Sequence, residues 1–388
     1  MAKQGRQMLK DQTAIVGIGE TEFGKRLEDT EWGLACTAIK AALDDAGIHP
    51  SEVDAMGCFN QEVTPEFEIA RSLGFENVHF FNQVAHGGGA ACGVLGQVAL
   101  AIASGVANVG VIWRSRKRGD PSKRQWAGVQ PRVTDHWKWS RPQGLLRPVD
   151  EVAMTMRRYM HEYNISREQL ATVALSQRGY ANSNPRAIMR DKPMSLDDYM
   201  GARMISDPLC LFDNCLESDG AIALVITRAA DVNPQKQQPV YIHAFSQGMS
   251  PQHQLMTDYH GVDPLRSSSW TTAANLWRQS DIQPSDIKLA QFYDAFSPMV
   301  LYCLEAYGFC GRGEAADFIA NGGMAQNGNL PINTSGGSLS EVYLHGMNLL
   351  TEAVRQLRGQ AANQVEHADT CLVATCDSTP NGALVLRR

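Results

Sequence analysis

Cysteine, histidine and glycine supply the first candidates for chemistry in this 388-residue chain. Its nine cysteines are Cys36, Cys58, Cys92, Cys210, Cys215, Cys303, Cys310, Cys371 and Cys376. They form no CxxC pair and stand at no zinc-ligand spacing from histidine, so no metal centre is expected. The odd number argues against a complete disulfide framework, and most read as small core residues. Cys92, just beyond Gly87-Gly88-Gly89, and Cys376, at the end of a strand-like run, are set apart. His86 precedes the same glycines and, as a lone histidine, reads as structural. Gly17 and Gly19 lack the third glycine of a dinucleotide-binding turn. A basic run, Arg114, Arg116, Lys117, Arg118, Lys123 and Arg124, lies among Trp113, Trp126, Trp137 and Trp139. Its default reading is a solvated loop; phosphate binding or an apolar interface are the alternatives.

The elements that must position these residues follow from hydrophobic periodicity. Thr13 to Ile18 reads as a buried strand, and Glu31 to Ala46 as a helix capped by Gly47. A strand at Ala55 to Phe59, a small-residue helix from the glycine cluster to Gly105, and a strand at Ala107 to Trp113 follow. From Arg114 to Pro148 the chain is basic and broken by Gly and Pro, as in an inserted loop. Strand pattern returns at Ala221 to Thr227. The second half then repeats the first: Ile48, Pro50, Ser51, Glu52 and Val53 are echoed by Ile282, Pro284, Ser285, Asp286 and Ile287 at a constant offset of 234 residues. Ser335-Gly336-Gly337 and the helix ending at Gly359 echo the first glycine cluster and its helix, and Thr370 to Thr375 closes the unit. This order predicts a duplicated α/β protein with mostly parallel sheets.

Length and composition set the outer bounds. With 44% hydrophobic and 20% charged residues the chain is globular, and a net charge of −6 disfavours nucleic acid. No apolar run approaches the roughly 20 residues of a membrane span. The polar stretch from Met1 to Gln12 does not read as a secretory signal, so a cytoplasmic location is expected.

Four stretches, in order, carry a resemblance: Ser218-Asp219-Gly220-Ala221, Tyr293-Asp294-Ala295-Phe296, Gly336 through Leu344, and Ala374-Thr375-Cys376. The chain resembles the thiolase superfamily over essentially its whole length. The resemblance implies duplicated βαβαβ halves in a five-layer α-β-α-β-α sandwich. It divides the chain into 1–113 and 218–240 as the N-terminal half, 114–217 as an inserted loop region, and 241–388 as the C-terminal half. At the positions where the family reacts, this chain departs from it. Gly88 stands at the nucleophilic cysteine, Tyr293 at the asparagine or histidine, and Tyr343 and Leu344 at the histidine and proline of the glycine-rich motif. Only Cys376 is retained. The runs Gly87 to Cys92, Tyr293-Asp294 and Leu330 to Asn348 are similar to those of the steroid side-chain aldolases named as lipid-transfer proteins.

That subgroup implies retro-aldol cleavage of a 17-hydroxy-steroid acyl-CoA to a 17-ketosteroid and propionyl-CoA. The CoA thioester is then the substrate, with no prosthetic group. A homodimer decorated by an OB-fold acyl-CoA-associated subunit is implied as well. The chemistry is consistent: without a thiolate there is no acyl-enzyme, but a site that stabilises a thioester enolate serves a β-hydroxyacyl-CoA. Tyr293 and Tyr343 are the expected acid/base pair, in a site that must help a phenol whose ordinary pKa is near 10. His345 orients a partner or is structural, and Asp294 acts in the site or beneath its loop. Cys376 supplies its side chain or only its N–H, and Gly88, Gly336 and Gly337 are expected against the thioester. Two rival readings stay open: acyl transfer through Cys92 or Cys376, and a non-catalytic lipid-binding or scaffolding subunit.

Overall fold

The computed structural model describes residues 9–85, 89–124, 137–250, 252, 256, 261–375 and 381–388. The first half opens with β1 (Thr13–Glu20) and α1 (Glu31–Ala46). Thr30 starts α1 by accepting the Gly33 N–H, and Gly47 ends it in the left-handed conformation. There follow β2 (Ala55–Phe59), α2 (Glu66–Leu73), β3 (Phe80–Val84), α3 (Ala90–Ala103) and β4 (Val109–Lys117). Next come α4 (Trp137–Ser140), α5 (Pro148–Tyr163), α6 (Arg167–Ser183), α7 (Leu196–Met200) and the hairpin of β5 (Met204–Ser206) and β6 (Leu209–Cys210). β7 (Asp219–Arg228) closes this half. The second half comprises β8 (Val240–Gly248), α8 (Ser268–Gln279), β9 (Leu289–Phe292), α9 (Pro298–Ala306) and α10 (Ala315–Ala320). It ends with α11 (Gly337–Ser340), α12 (Met347–Arg358), β10 (Thr370–Ala374) and β11 (Asn381–Arg387).

The duplication expected from the 234-residue offset is visible in the elements. Short 3-10 turns at Pro50–Glu52 and Pro284–Asp286 lead into β2 and β9. The strands run in the order β3-β2-β4-β7-β1-β8-β11-β10-β9. The halves meet edge to edge where Ala14 and Ile15 of β1 pair with Tyr241 and Val240 of β8. Helix α1 packs on β1, β7 and β4, while α8 packs on β8 and β11. Between the two sheets, α3 contacts β2 and β4 on one side and β11 on the other, and α12 contacts β9, β10 and β7. That is the α-β-α-β-α layering. Close approach explains the small residues of α3: a Cβ on Gly96 would lie 2.3 Å from the Phe245 ring.

Two expectations need correction. The large sheet is not mostly parallel by pairing: β2–β3, β2–β4 and β9–β10 are parallel, whereas the other five pairs of its nine strands are antiparallel. One reversed strand per half causes this. β7 inserts between β1 and β4, and β11 between β8 and β10, while the remaining strands of each half share a direction. The basic run also does not begin a loop. β4 continues through Lys117, with Arg114 fully buried and Arg116 2% exposed. Beyond it the described residues of the insertion are largely helical, and α6 packs on α10 and α11 of the second half.

Candidate active site

Both tyrosines sit at ends of elements in the second half. Tyr293 directly follows β9, and its N–H donates to the Ala374 carbonyl at the end of β10, 2.8 Å away. Tyr343 lies in the turn between α11 and α12. The turns before it are pinned to β9 by Asn333, which accepts the Phe292 N–H at 2.7 Å and donates to the Phe292 carbonyl at 2.8 Å. The tail of the insertion stitches the two loops together. The Cys215 N–H donates to the Ala295 carbonyl at 2.9 Å, the Leu216 N–H to the Ser338 carbonyl at 3.1 Å, and Glu217 bridges to Tyr343.

This packing brings the Tyr293 and Tyr343 hydroxyls to 2.9 Å, a direct hydrogen bond. Both residues are buried, at 3% and 7% exposure. Burial is the main cause that pushes both phenols above their ordinary value. A site that lowers them, as the sequence led one to expect, is therefore not what the chain builds: at neutral pH both hydroxyls keep their protons.

Cys215 was read in the sequence as core filling, yet its N–H holds the Ala295 carbonyl and Glu217, two residues on, bridges to Tyr343. Cys215 also lines a cavity of about 480 Å³. The cavity wall is apolar at Phe212, Phe296 and Leu339 and cationic at Lys25, Arg124, Arg147, Arg178 and Arg203. The Lys25 ammonium is lowered, first by burial and then by repulsion from Lys192 and Arg124. Such crowding of like charge is relieved by an anion. A thioester with a phosphate-bearing tail suits this combination.

The other sequence candidates fall into four groups. Asp294 is fully buried and accepts the Ser338 N–H at 2.9 Å with both oxygens and the Leu339 N–H at 3.4 Å. It thus serves the first turn of α11, and burial raises its carboxyl to about 6. Gly336 and Gly337 shape the same turn, at φ +107° and +59°; a Cβ on Gly337 would meet the Asp294 carboxylate at 2.2 Å. His345 lies against Tyr343 with ring centroids 4.8 Å apart and planes tilted by 45°, in a left-handed conformation at φ +54°. Cys376, Gly88, His86 and Trp126 lie outside the described residues. Cys92 donates its thiol to the Val373 carbonyl at 3.6 Å, and burial raises it, which is the opposite of an activated nucleophile.

Sequence reasoning missed a buried chain behind His345. Arg114 donates from Nε to His345 Nδ1 at 3.1 Å and pairs through its Nη1 with Glu62 at 2.7 Å. Its guanidinium lies 4.6 Å from the centre of the Phe59 ring. The signal for Arg114 was two arginines alternating in a strand that ran on past its apolar part.

The specific stretch from Leu330 to Asn348 otherwise builds architecture. Glu341 accepts from Ser335 at 2.5 Å, Asn184 at 3.0 Å and Asn348 at 3.3 Å. Burial, then repulsion from Glu20 and Glu352, pushes its carboxyl up to about 8. Among the described residues, no cluster of histidine, cysteine, aspartate or glutamate has the make-up of a metal site. Nor is any helix among them long and apolar enough to cross a membrane.

Comparison with known proteins fits this geometry. Residues 13–207 match the thiolase N-terminal domain family, and residues 249–385 match the thiolase C-terminal domain-like family. A 17-hydroxy-3-oxo-4-pregnene-20-carboxyl-CoA lyase of Mycobacterium tuberculosis is 41% identical over 98% of this chain and 100% of its own. A steroid side-chain-cleaving aldolase of Thermomonospora curvata is 40% identical over 98% of each chain. Among solved structures, the Ltp2-ChsH2(DUF35) aldolase superposes with a TM-score of 0.91 at 40% identity, covering 98% of both chains. Human mitochondrial 3-ketoacyl-CoA thiolase shares the fold, with a TM-score of 0.67 at 16% identity over 96% of this chain and 98% of its own. The chain belongs to the thiolase superfamily and, within it, to the steroid side-chain-cleaving aldolases, which are carbon–carbon lyases.

Proposed function

We propose that this chain cleaves a 17-hydroxy-steroid bearing a short side-chain CoA thioester to a 17-ketosteroid and propionyl-CoA, with Tyr293 and Tyr343 moving the proton. The observation that carries the reading is the 2.9 Å bond between the two hydroxyls, beside a cavity with a cationic wall whose lining residue Glu217 bridges to Tyr343. The names of the relatives at 40–41% identity supply the substrate class.

The raised phenols decide how the pair works. A standing phenolate is disfavoured in this buried site, and a relay does not need one. One tyrosine accepts the 17-hydroxyl proton while passing its own to the second, and the second gives its proton to the α-carbon. The O–H bond and the bond between C17 and the side chain break, C17 becomes a carbonyl carbon, and the bonding pair moves through the thioester enolate into the new C–H bond. Both tyrosines end as they began, protonated and neutral. No acyl group is carried by the protein.

Further proposals concern assembly. An OB-fold acyl-CoA-associated subunit completes the enzyme, a reading supported by the two-part name of the superposed aldolase. A homodimer forms through the first half, where β3 is the free edge of the sheet and Phe81 and Phe67 are each 62% exposed. The location proposed is cytoplasmic.

The test is to co-express the chain with that subunit, supply the 17-hydroxy-steroid thioester, and follow products by mass spectrometry. Release of 17-ketosteroid and propionyl-CoA, lost in Tyr293→Phe or Tyr343→Phe while binding persists, supports the reading. A wild-type complex that binds the thioester and leaves it intact overturns it.

A further inference from the structure

A tyrosine pair relaying a proton during C–C cleavage develops negative charge in a dry site, and the proposed reaction does not say what balances it. Buried neutral groups alone make that charge costly. The chain Glu62–Arg114–His345 stands directly behind Tyr343. Arg114 is fully buried, His345 is 2% exposed, and the Glu62 side chain is 2% exposed. The Arg114 side chain is held on three sides: by Glu62 at 2.7 Å, by the Phe59 ring at 4.6 Å, and by His345 Nδ1 at 3.1 Å from both Nε and Nη2. Glu62 is itself fixed by the Ser115 N–H at 3.1 Å, so strand β4 supplies both the arginine and the anchor of its partner.

Hydrogen-bond inventory assigns the histidine tautomer. A guanidinium has five donors and no acceptor. With two of its N–H groups directed at Nδ1, that nitrogen offers its lone pair, and the ring proton is on Nε2. A second proton on Nδ1 would set an N–H against two others beside a fixed cation.

We infer, on the aldolase reading above, that Arg114 is a positioning residue for the cleavage. Clamped by Glu62, it fixes His345 as a neutral imidazole protonated on Nε2, and it sets a permanent positive charge one ring behind the Tyr293–Tyr343 pair. His345 then cannot compete with the tyrosines as a base. Arg114 stabilises the negative charge that passes through the phenol oxygens and the enolate without having a proton to exchange. Two observations agree. His345 adopts a left-handed backbone at φ +54°, a conformation a non-glycine residue keeps only where its surroundings hold it. Arg114, paired to Glu62, lies against it, and burial followed by the repulsion of Arg114, Arg116 and Arg118 keeps its ring well below the usual histidine range.

The test uses the co-expressed complex labelled with ¹⁵N-histidine. Nitrogen shifts of the wild type, assigned with His345→Gln, are expected to give a neutral Nε2–H ring that persists from about pH 8 to about pH 5. In Arg114→Met the ring should titrate closer to the ordinary value of about 6.5. With the thioester substrate, Arg114→Met should lower kcat by about a hundredfold with KM within about threefold. Arg114→Lys, which keeps the charge and loses the fork, should recover part of that loss. A wild-type His345 with its proton on Nδ1, or titrating near 6.5, overturns the assignment, as does Arg114→Met with the wild-type kcat. Should Arg114→Met fail to fold, Glu62→Gln/Arg114→Met removes both charges together, and the wild-type spectrum decides the tautomer without any variant in the clamp. A wild-type complex that leaves the thioester intact overturns the aldolase reading and the catalytic part of this one; the tautomer is read independently of turnover.

Discussion

The two halves of this molecule place different chemistry on the same frame. Under the 234-residue offset, Phe59 at the end of β2 corresponds to Tyr293 just after β9. In the first half Gly57 pairs with Ile112, and in the second Gln291 pairs with Val373, so Arg114 corresponds to Thr375. One half thus ends its paired strands in an apolar ring and a buried guanidinium, the other in a phenol and a threonine. Duplication supplied two equivalent rims; under the proposed mechanism, divergence made one the proton-transfer site and the other its electrostatic backing. The halves also differ in length between these points. β2 and α3 are separated by α2 and β3, whereas β9 and α12 are separated by α9, α10, α11 and the turns that carry Asp294, Gly336, Gly337 and Tyr343.

The largest expected effect lies on the second rim. Tyr293→Phe or Tyr343→Phe should lower kcat by about 10²–10⁴-fold with little change in KM, as measured by steady-state product release. Because burial raises both phenols, they stay protonated through neutral pH. The rate of cleavage should then be flat across the neutral range and fall only above about pH 10, where an ordinary tyrosine begins to ionise. Tyrosines that titrate below that point would show as an earlier break in the profile and would contradict the relay.

Next comes the turn that sets the second rim apart. Gly337→Ala puts a Cβ 2.2 Å from the Asp294 carboxylate in a left-handed conformation, so α11 has to shift. A loss of about 2–3 kcal/mol in chemical denaturation is expected. The same substitution at Gly74, also left-handed but with nothing within 4 Å, should cost less and provides the control.

The cavity should respond more gently. Arg203→Ala is expected to raise KM for the CoA thioester by about tenfold while kcat holds. The wild-type advantage should shrink in added salt. An unchanged KM would remove the cationic wall from the account and leave the tyrosine pair standing.

The smallest effect concerns Glu341. Its folded value of about 8 lies above the ordinary 4.5, so the folded chain binds the proton more tightly than the unfolded one. Its contribution to stability is complete below about pH 4.5 and is lost as pH rises through about 8. Glu341→Gln should flatten that slope in thermal melts taken from pH 5 to pH 8. A variant with the wild-type slope would assign the titration to other carboxylates, such as Asp294.

Much of the frame was legible in the sequence because its signals are local. α1 was bounded to the residue by its apolar face and Gly47, and the two Pro-Ser-acid turns betrayed the duplication. β8 and β11 went unassigned. Their short apolar runs give no sign that β11 will insert between β8 and β10, and that insertion, with β7 in the other half, makes four of the eight pairings in the nine-stranded sheet antiparallel. Tyr293 and Tyr343 stood out only through the resemblance, since fifty residues separate them and nothing local says that their hydroxyls meet. Arg114 illustrates the reverse failure. A charged run reads as solvated, but the partners that make burial tolerable, Glu62 and His345, are 52 and 231 residues away. Cys215 was set aside by residue type, and only the folded chain puts it in the cavity wall, two residues before the Glu217 that bridges to Tyr343.

The most direct measurement of the central claim is a double-mutant cycle on the tyrosine pair, with kcat read for Tyr293→Phe, Tyr343→Phe and the double variant in the complex. A relay in which one proton crosses both oxygens fails once either is gone. The double variant should then be about as slow as the slower single, a strong departure from additivity. Losses that multiply would mean that the two hydroxyls act independently, and would contradict the relay.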